Sequence, residues 1–521
     1  MSSFDRTGTH SRVSAIICVM HKSATGSVPE PAGDIRLLAA IAFGVVLLHV
    51  ATGGKYGFHR DELATLDDAR RLAWGYVAYP PMTPFFGRLS LEFFGTSLRG
   101  FRFFAGVATA VTLVLTGLMA RDLGGRRGAQ VVAVAAAASF AIAGGVMMQY
   151  VAFDYLAWVL TAYCVVRLLK TEDARWWLGI GAAIGLGAMA KYNIAFCVAG
   201  VVAAVVLTPV RKYLFSKWLW FGVVLSLLIW FPNMLWQIQH HFISLDFLRH
   251  IHARDIRIGR TQNFLPDQLK ISAAIIWIPG LYYCLVAQDG KRYRMLAWMY
   301  LVPLALYCVI QARAYYLAGA YPMLYAAGAV WGEQKLAQMG RASANVIRVA
   351  VWTLLLLTIG FTSAVTLPIA PINSAWFKFA SQINGDYKEE VGWPELARTV
   401  AQIRDSLPPD DREHLGILGT NYGEAGAIAL YGPQYGLPTP ISGVNSFWER
   451  EYGNPPPQTL IVIGLDKGAR DEIFSSCELA GHTGNPYGIE NEETQDHPDI
   501  FVCRVMRKSW PEFWKSFRYY G

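Results

Sequence analysis

The chain has 521 residues, of which 54% are hydrophobic and only 16% charged, against roughly 25% charged in soluble domains. The net charge of +8 comes with no basic-aromatic stripe. Most Lys and Arg outside the C-terminal region sit at the ends of apolar runs, which excludes nucleic acid as a partner and points to a protein threaded through a lipid bilayer.

Residues 1–33 are polar, contain Ser and Gly, and end in Pro29-Glu30-Pro31. They read as a disordered cytoplasmic tail. The run from Val13 to Met20 is too short to span a membrane, and no cleavage pattern follows it, so the first span is expected to remain as an anchor. Apolar segments then follow at 34–53, 98–120, 128–147, 153–169, 176–190, 194–210, 217–236, 267–287, 294–311, 314–332 and 347–369. They predict an α-helical polytopic membrane domain over 34–369 with about eleven transmembrane helices. Within its first outer loop, 54–97, the stretches 61–72 and 82–94 have amphipathic helical spacing and are expected to lie in the membrane interface. Asp67 and Asp68 reach Arg71 at i+4 and i+3 and read as surface ion pairs.

Loop charge gives an orientation. Arg121/Arg126/Arg127, Lys170/Arg175, Arg211/Lys212/Lys217, Lys291/Arg292/Arg294 and Lys335/Arg341/Arg348 fall on one side, which the positive-inside rule makes cytoplasmic. Residues 54–97, 237–266 and 370–521 then share the outer face. Two of these regions are basic against the rule: residues 55–102 carry Lys55, Arg60, Arg70, Arg71, Arg88, Arg99 and Arg102, and residues 249–260 carry Arg249, Arg254, Arg257 and Arg260. An anionic substrate explains them, a lipid phosphate most naturally.

The segment 370–521 changes character. A helix at 393–407, an apolar run at 415–419, a helix at 423–431, a strand at 459–464, a helix near 468–475 and a strand at 500–503 predict a small extracytoplasmic α/β domain. Its Cys477 and Cys503 are able to pair in an oxidising compartment. Other cysteines lie in the tail or in apolar runs and read as small buried hydrophobes.

His59-Arg60-Asp61-Glu62 stands where the first span leaves the bilayer, and ionisable groups at such a boundary are candidates for function. An acid pair there serves as general base, metal site, proton relay or structural pair. Lys191-Tyr192 and Arg313-Ala314-Tyr315-Tyr316 place a cation and a phenol at the same depth, where a departing phosphate would need charge stabilisation. Snorkelling cations and belt tyrosines are the structural alternative. Asp154 opens a span on the same face, as a helix cap or a second acid. The cluster His240, His241, Asp246, His250, His252 and Asp255 matches no zinc spacing. Asn445-Ser446-Phe447-Trp448 reads as turn chemistry and packing, with presentation of an acceptor as the alternative.

The stretch Tyr56-Gly57-Phe58-His59-Arg60-Asp61-Glu62-Leu63, followed by Ala73-Trp74-Gly75-Tyr76-Val77-Ala78-Tyr79-Pro80-Pro81, resembles the first outer loop of bacterial family 39/83 glycosyltransferases of the GT-C superfamily. That superfamily includes the protein O-mannosyltransferases and the aminoarabinose transferase of lipid A. Ala190-Lys191-Tyr192, Pro232-Asn233-Met234-Leu235-Trp236, Ala314-Tyr315-Tyr316-Leu317 with Ala320-Tyr321-Pro322, and Asn421-Tyr422-Gly423-Glu424-Ala425-Gly426 extend the likeness. The resemblance implies a GT-C fold in a bacterial inner membrane, with the C-terminal domain in the periplasm. It implies transfer of a sugar from a polyprenyl-phosphate donor to a hydroxyl acceptor, usually with inversion. It makes Asp61 the base and gives Glu62 a supporting role, binding acceptor or shaping the site. Arg60, Lys191 and Arg313 would hold the carrier phosphate with Tyr316. Tyr192, Tyr315, Asp154 and His59 are secondary candidates. Some relatives carry an ionisable residue before the Pro-Pro pair, where this chain has Ala78 and Tyr79. No strict metal requirement is therefore expected, although a divalent ion is compatible. The rival class is a flippase for lipid-linked sugars, which would favour repeats and charges at mid-span.

Overall fold

The computed structural model describes residues 33–521. The tail expected over 1–33 lies outside them apart from its last residue. The membrane part is built from helices α1 (Gly33–Thr52), α2 (Arg60–Arg70), α3 (Met82–Phe94), α4 (Leu98–Asp122), α5 (Arg127–Gly144), α6 (Tyr150–Thr171), α7 (Trp176–Ala190), α8 (Ile194–Leu207) and α9 (Lys217–Gln239). It continues through α10 (Ile243–Arg257), α11 (Phe264–Ile271), α12 (Ala274–Leu285), α13 (Arg294–Val309), α14 (Tyr321–Gln338) and α15 (Arg341–Thr366).

Helix underlies every apolar segment read from the sequence, but the segments are not equal. By length and composition α1, α4, α5, α6, α9 and α15 are able to cross a membrane, and up to eight spans result if each bent pair counts as one. The first bend, of 99°, follows α8, where Thr208-Pro209 begins a 3-10 turn. Pro lacks the N–H that would continue the helix. The second, of 105°, separates α11 from α12. Helix α7 has 15 residues, so it rises only about 22 Å against a hydrocarbon core of about 30 Å.

Lipid and protein sides separate clearly. The apolar windows of α4 and α6 are 67% and 72% buried, whereas those of α1, α9 and α15 are 17%, 17% and 11% buried. The outer three present Phe43, Phe231 and Leu357 away from the protein. Helices α7 and α9 approach backbone to backbone: a Cβ on Gly181 would strike the carbonyl of Gly222, and one on Gly222 that of Trp177. Small residues permit this contact, as at helix crossings in bilayers.

The C-terminal region holds α16 (Ala375–Ile383), α17 (Trp393–Ser406), α18 (Tyr422–Tyr431), α19 (Lys467–Ile473) and α20 (Trp510–Ser516) around strands β1 (Leu415–Gly419), β2 (Thr459–Ile463), β3 (Phe474–His482) and β4 (Asp499–Met506). The sheet order is β1-β2-β4-β3. Strands β1 and β2 are parallel, with Ile417 opposite Ile461, and β4 runs antiparallel to β2 and β3. The helix expected near 468–475 ends at Ile473, and β3 was missed. Most of β3 is solvent-exposed, so it lacks the apolar alternation that marks a half-buried strand. Cys477 and Cys503 face each other across β3 and β4 and form a disulfide.

This domain sits on α2. Gly426 of α18 lies so close to Leu63 that a Cβ there would meet the Leu63 side chain at 2.7 Å. Asp67 and Asp68 correct their reading as surface pairs: they are 2% and 4% exposed. Arg71 does reach Asp67 at 2.5 Å, but Arg450 of the C-terminal domain pairs with both acids, holding Asp68 Oδ1 at 2.6 Å. Local spacing could reveal Arg71 and not a partner arriving from a distant segment.

Candidate active site

Two neighbouring acids at the start of α2 have opposite surroundings. His59 caps the helix: its Nδ1 accepts a hydrogen bond from the Asp61 amide at 3.1 Å, and the Glu62 carboxylate accepts one from the His59 amide at 3.1 Å. Because Nδ1 is an acceptor here, its 3.9 Å approach to Asp61 Oδ2 is not a charged hydrogen bond. The helical step turns consecutive side chains about 100° apart. Asp61 is thereby left 39% exposed, while Glu62 is fully buried. Arg102 Nη2 lies 2.6 Å from Glu62 Oε2 and Arg102 Nε 2.9 Å from Oε1, and the Met148 amide donates to Oε1 at 2.9 Å. Arg102 also reaches the carbonyls of Gly53 and Gly57 and the carboxylate of Glu390.

Asp61 instead opens onto a cavity of about 1170 Å³. Its Oδ1 accepts from the Tyr422 hydroxyl at 2.8 Å and its Oδ2 from Gln149 Nε2 at 2.8 Å. These two donors fix the carboxylate plane from two sides. One comes from the start of α18 and the other from the residue preceding α6.

A second focus lies at Lys191. Its ammonium stands 4.1 Å from the ring centre of Tyr316, 4.6 Å from that of Tyr150 and 4.9 Å from that of Tyr315. Three aromatic faces attract the cation and fix its position, and no ion pair joins Lys191 among the described residues. Asn193 organises the floor. Its Nδ2 donates to Asp154 Oδ2 at 2.9 Å and to the Tyr316 carbonyl at 3.1 Å, and Tyr307 donates to its Oδ1 at 2.5 Å. Tyr150 directly follows Gln149, so adjacent residues touch the acid and cage the cation.

The remaining walls differ in sign. Arg254, Arg260, Lys270 and Arg313 line the cavity with Asp267 among them, and Asp386, Glu389, Glu490 and Glu492 line it with Lys388 among them, so each group has a predominant sign. Arg313 makes a two-toothed pair with Asp255, at 2.5 and 2.7 Å. The Nε of Arg254 is buried without a hydrogen-bond partner. Arg60 lies with the acids: its Nη1 is 2.6 Å from Glu492 and 3.7 Å from Glu493, and its Nε is 3.8 Å from Glu389. Burial pushes the Glu389 carboxyl above its ordinary range, and Arg60 opposes that shift.

Known proteins share this arrangement of chain. The family described as dolichyl-phosphate-mannose-protein mannosyltransferase matches residues 78–236. The lipid A galacturonosyltransferase RgtD of Rhizobium johnstonii is 23% identical over 448 residues, spanning 78% of this chain and 86% of that protein. The crystal structure of ArnT from Cupriavidus metallidurans bound to undecaprenyl phosphate superposes with a TM-score of 0.55 at 15% identity, covering 91% of this chain and 99% of that one. Its apo form gives 0.54 at 16% identity, covering 91% and 98%. The chain has an ArnT-like fold and is similar in sequence to a membrane glycosyltransferase.

Within this frame the residues singled out from sequence divide. Asp61, Lys191, Tyr192, Tyr315, Tyr316, Arg313, Arg60 and His59 all line the one cavity. Glu62 does not. It ties α2 to α4 and to the backbone at Met148, buried behind the cavity wall. Asp154 is also outside the lining; it is 8% exposed and supports Asn193 behind Lys191. Arg60 is turned from the cationic wall by three carboxylates, and Arg102, counted among cations awaiting an anion, is consumed by Glu62 and Glu390. The Tyr192 hydroxyl is engaged by Asn233 and Gln237. Asn445, Ser446 and Phe447, read mainly as turn residues, reach the cavity.

Three contributors escaped the sequence reading. Gln149 and Tyr150 sit at the start of α6, where no charge drew attention to them. Tyr422 lay inside a quoted motif without a role.

Proposed function

We propose that this protein transfers a sugar from a polyprenyl-phosphate carrier to a hydroxyl on the outer face of the bacterial inner membrane, with inversion, and that Asp61 is the general base. The carrying observation is the shared cavity of Asp61 and Lys191: a carboxylate held by Tyr422 and Gln149, and an ammonium caged by three tyrosines without a carboxylate partner.

In this reading the acceptor O–H gives its proton to Asp61. The oxygen forms a bond to the anomeric carbon as the bond from that carbon to the phosphate oxygen breaks. The electron pair leaves with the polyprenyl phosphate. Lys191 meets the charge that develops there, and the tyrosine cage keeps it in place without reorganisation. Arg313 contributes from its fixed pair with Asp255, and Arg254 from the neighbouring turn of α10. The undecaprenyl phosphate of the similar ArnT structure and the lipid A named for the similar galacturonosyltransferase support a polyprenyl donor and a lipid acceptor.

The test is reconstitution in liposomes with polyprenyl-phosphate sugars and a hydroxylated lipid acceptor, comparing wild type with Asp61→Asn. Transfer by the wild type and its loss in the variant are expected. Transfer that survives the substitution removes Asp61 as base. Movement of the carrier between leaflets with no transfer would favour a flippase.

A further inference from the structure

The C-terminal domain contains a second cavity, of about 330 Å³, away from Asp61. It lies outside the carboxyl ends of the parallel strands β1 and β2, between Thr420-Asn421 and Gly464-Leu465-Asp466, the edge where open α/β sheets seat ligands. Its polar lining carries five carboxylates, from Glu424, Asp466, Glu492, Glu493 and Asp496, beside His497, Tyr519, Thr420 and Asn421, and among the described residues no Lys or Arg lines it.

Acids alone would mark only a solvated surface. Glu493, however, is 4% exposed, and neither of its carboxylate oxygens has a hydrogen-bond partner. Arg60 Nη1, 3.7 Å from Oε1, offsets part of its charge, but a buried carboxylate that accepts no hydrogen bond still costs free energy until a donor arrives. The space beside it is also kept open by the backbone. Gly464 has φ +73°, and a Cβ there would run into the Glu424 carboxylate and the Thr420 hydroxyl. The N-terminus of α18 is not an anion site, since Glu424 already accepts from the Thr420 and Asn421 amides at 2.9 and 3.0 Å.

We propose that this cavity binds an organic cation of the diamine class, with one ammonium on Glu493 and the other on Asp496 at the mouth. A bare metal ion fits less well. Among the described residues no group of His, Cys, Asp or Glu converges closely enough to hold one, and the carboxylates surround a space of molecular size. Depth differs between the two acids: Glu493 is buried, whereas Asp496 is exposed. Leu465 and Phe517 add apolar lining to the same cavity, which suits a methylene stem. Burial pushes the Glu493 carboxyl up to about 8, with Glu389 and Glu424 adding to the shift and Arg60 opposing it, so an arriving ammonium would displace a proton near neutral pH. Glu492 lines both cavities and holds Arg60, the residue before Asp61. A bound cation therefore meets the catalytic helix through a single carboxylate.

The test is calorimetric titration of the full-length protein in detergent with putrescine, butylamine and Mg²⁺. Saturable putrescine binding is expected, at least tenfold tighter than butylamine, weakened tenfold or more in Glu493→Gln and several-fold in Asp496→Asn. The Asp496 variant lies at the exposed mouth and decides the matter if the Glu493 variant does not fold. No saturable putrescine binding, binding of Mg²⁺ alone, or wild-type affinity in the folded variants would overturn the proposal.

Discussion

The main cavity has two walls of opposite sign, and they are built by opposite means. The basic wall comes from ends of membrane helices, where Lys191 is caged by rings and Arg313 is fixed by Asp255. The acidic wall comes from loops and short turns at 385–390 and 490–496, where carboxylates crowd together and share Arg60. Asp61 stands between them. In the proposed mechanism the basic side is preorganised for charge that appears during reaction, while the acidic side already holds Arg60. Position in a cavity does not by itself give a charged residue a role; the partners it already has decide what it is free to meet.

The sharpest way to break this contrast is at Asp61. Asp61→Asn is expected to lower transfer by about a hundred- to ten-thousand-fold, with thermal stability unchanged, as read by turnover in liposomes. Lys191→Met comes next, with kcat reduced by about a hundredfold. On the acidic side Arg60→Gln should leave kcat far less affected, and equal losses in the two variants would erase the distinction drawn between the walls. Glu62→Ala tests the neighbour of the base. Breaking a buried ion pair costs about 3–5 kcal/mol, so its melting point should fall before any kinetic effect can be attributed to chemistry. Tyr422→Phe removes one hydrogen bond to Asp61 and should lower kcat by about tenfold, since such bonds to charged groups contribute about 1.5–3 kcal/mol. The smallest effect concerns pH. The fold raises Glu493 from 4.5 to about 8, so the native state keeps a proton that the unfolded chain releases. Its contribution is full below about 4.5 and is lost as pH rises toward 8. The melting point of Glu493→Gln should therefore decline less over that window than that of the wild type.

Much of this was legible in the sequence, for physical reasons that also mark where legibility ended. Hydropathy located a helix under each apolar segment, because lipid contact demands continuous apolar surface. It could not foresee the bend after α8 or the shortness of α7, because a run of apolar residues does not state whether it crosses or turns back. Asp61, Lys191 and Tyr316 were found because charged and phenolic groups at membrane boundaries are conspicuous. Gln149 and Tyr150 were not, since an amide and a belt tyrosine look ordinary until Asp61 and Lys191 are seen beside them. The pairing of Glu62 with Arg102 was hidden for one reason: the sequence shows a charge but not its partner forty residues away. Asp67 and Asp68 repeat that lesson at longer range through Arg450. Strand β3 was lost because an exposed strand closed by a disulfide carries no apolar alternation.

The hydrogen bond from Tyr422 to Asp61 joins residues 361 positions apart, and it bears on how such enzymes can be recombined. A chimera that exchanges the C-terminal domain would also exchange a group that orients Asp61, the proposed base. The domain is thus not a detachable specificity module. A workable graft would keep the α18 start, Asn421-Tyr422-Gly423, with the membrane half and place its junctions beyond it.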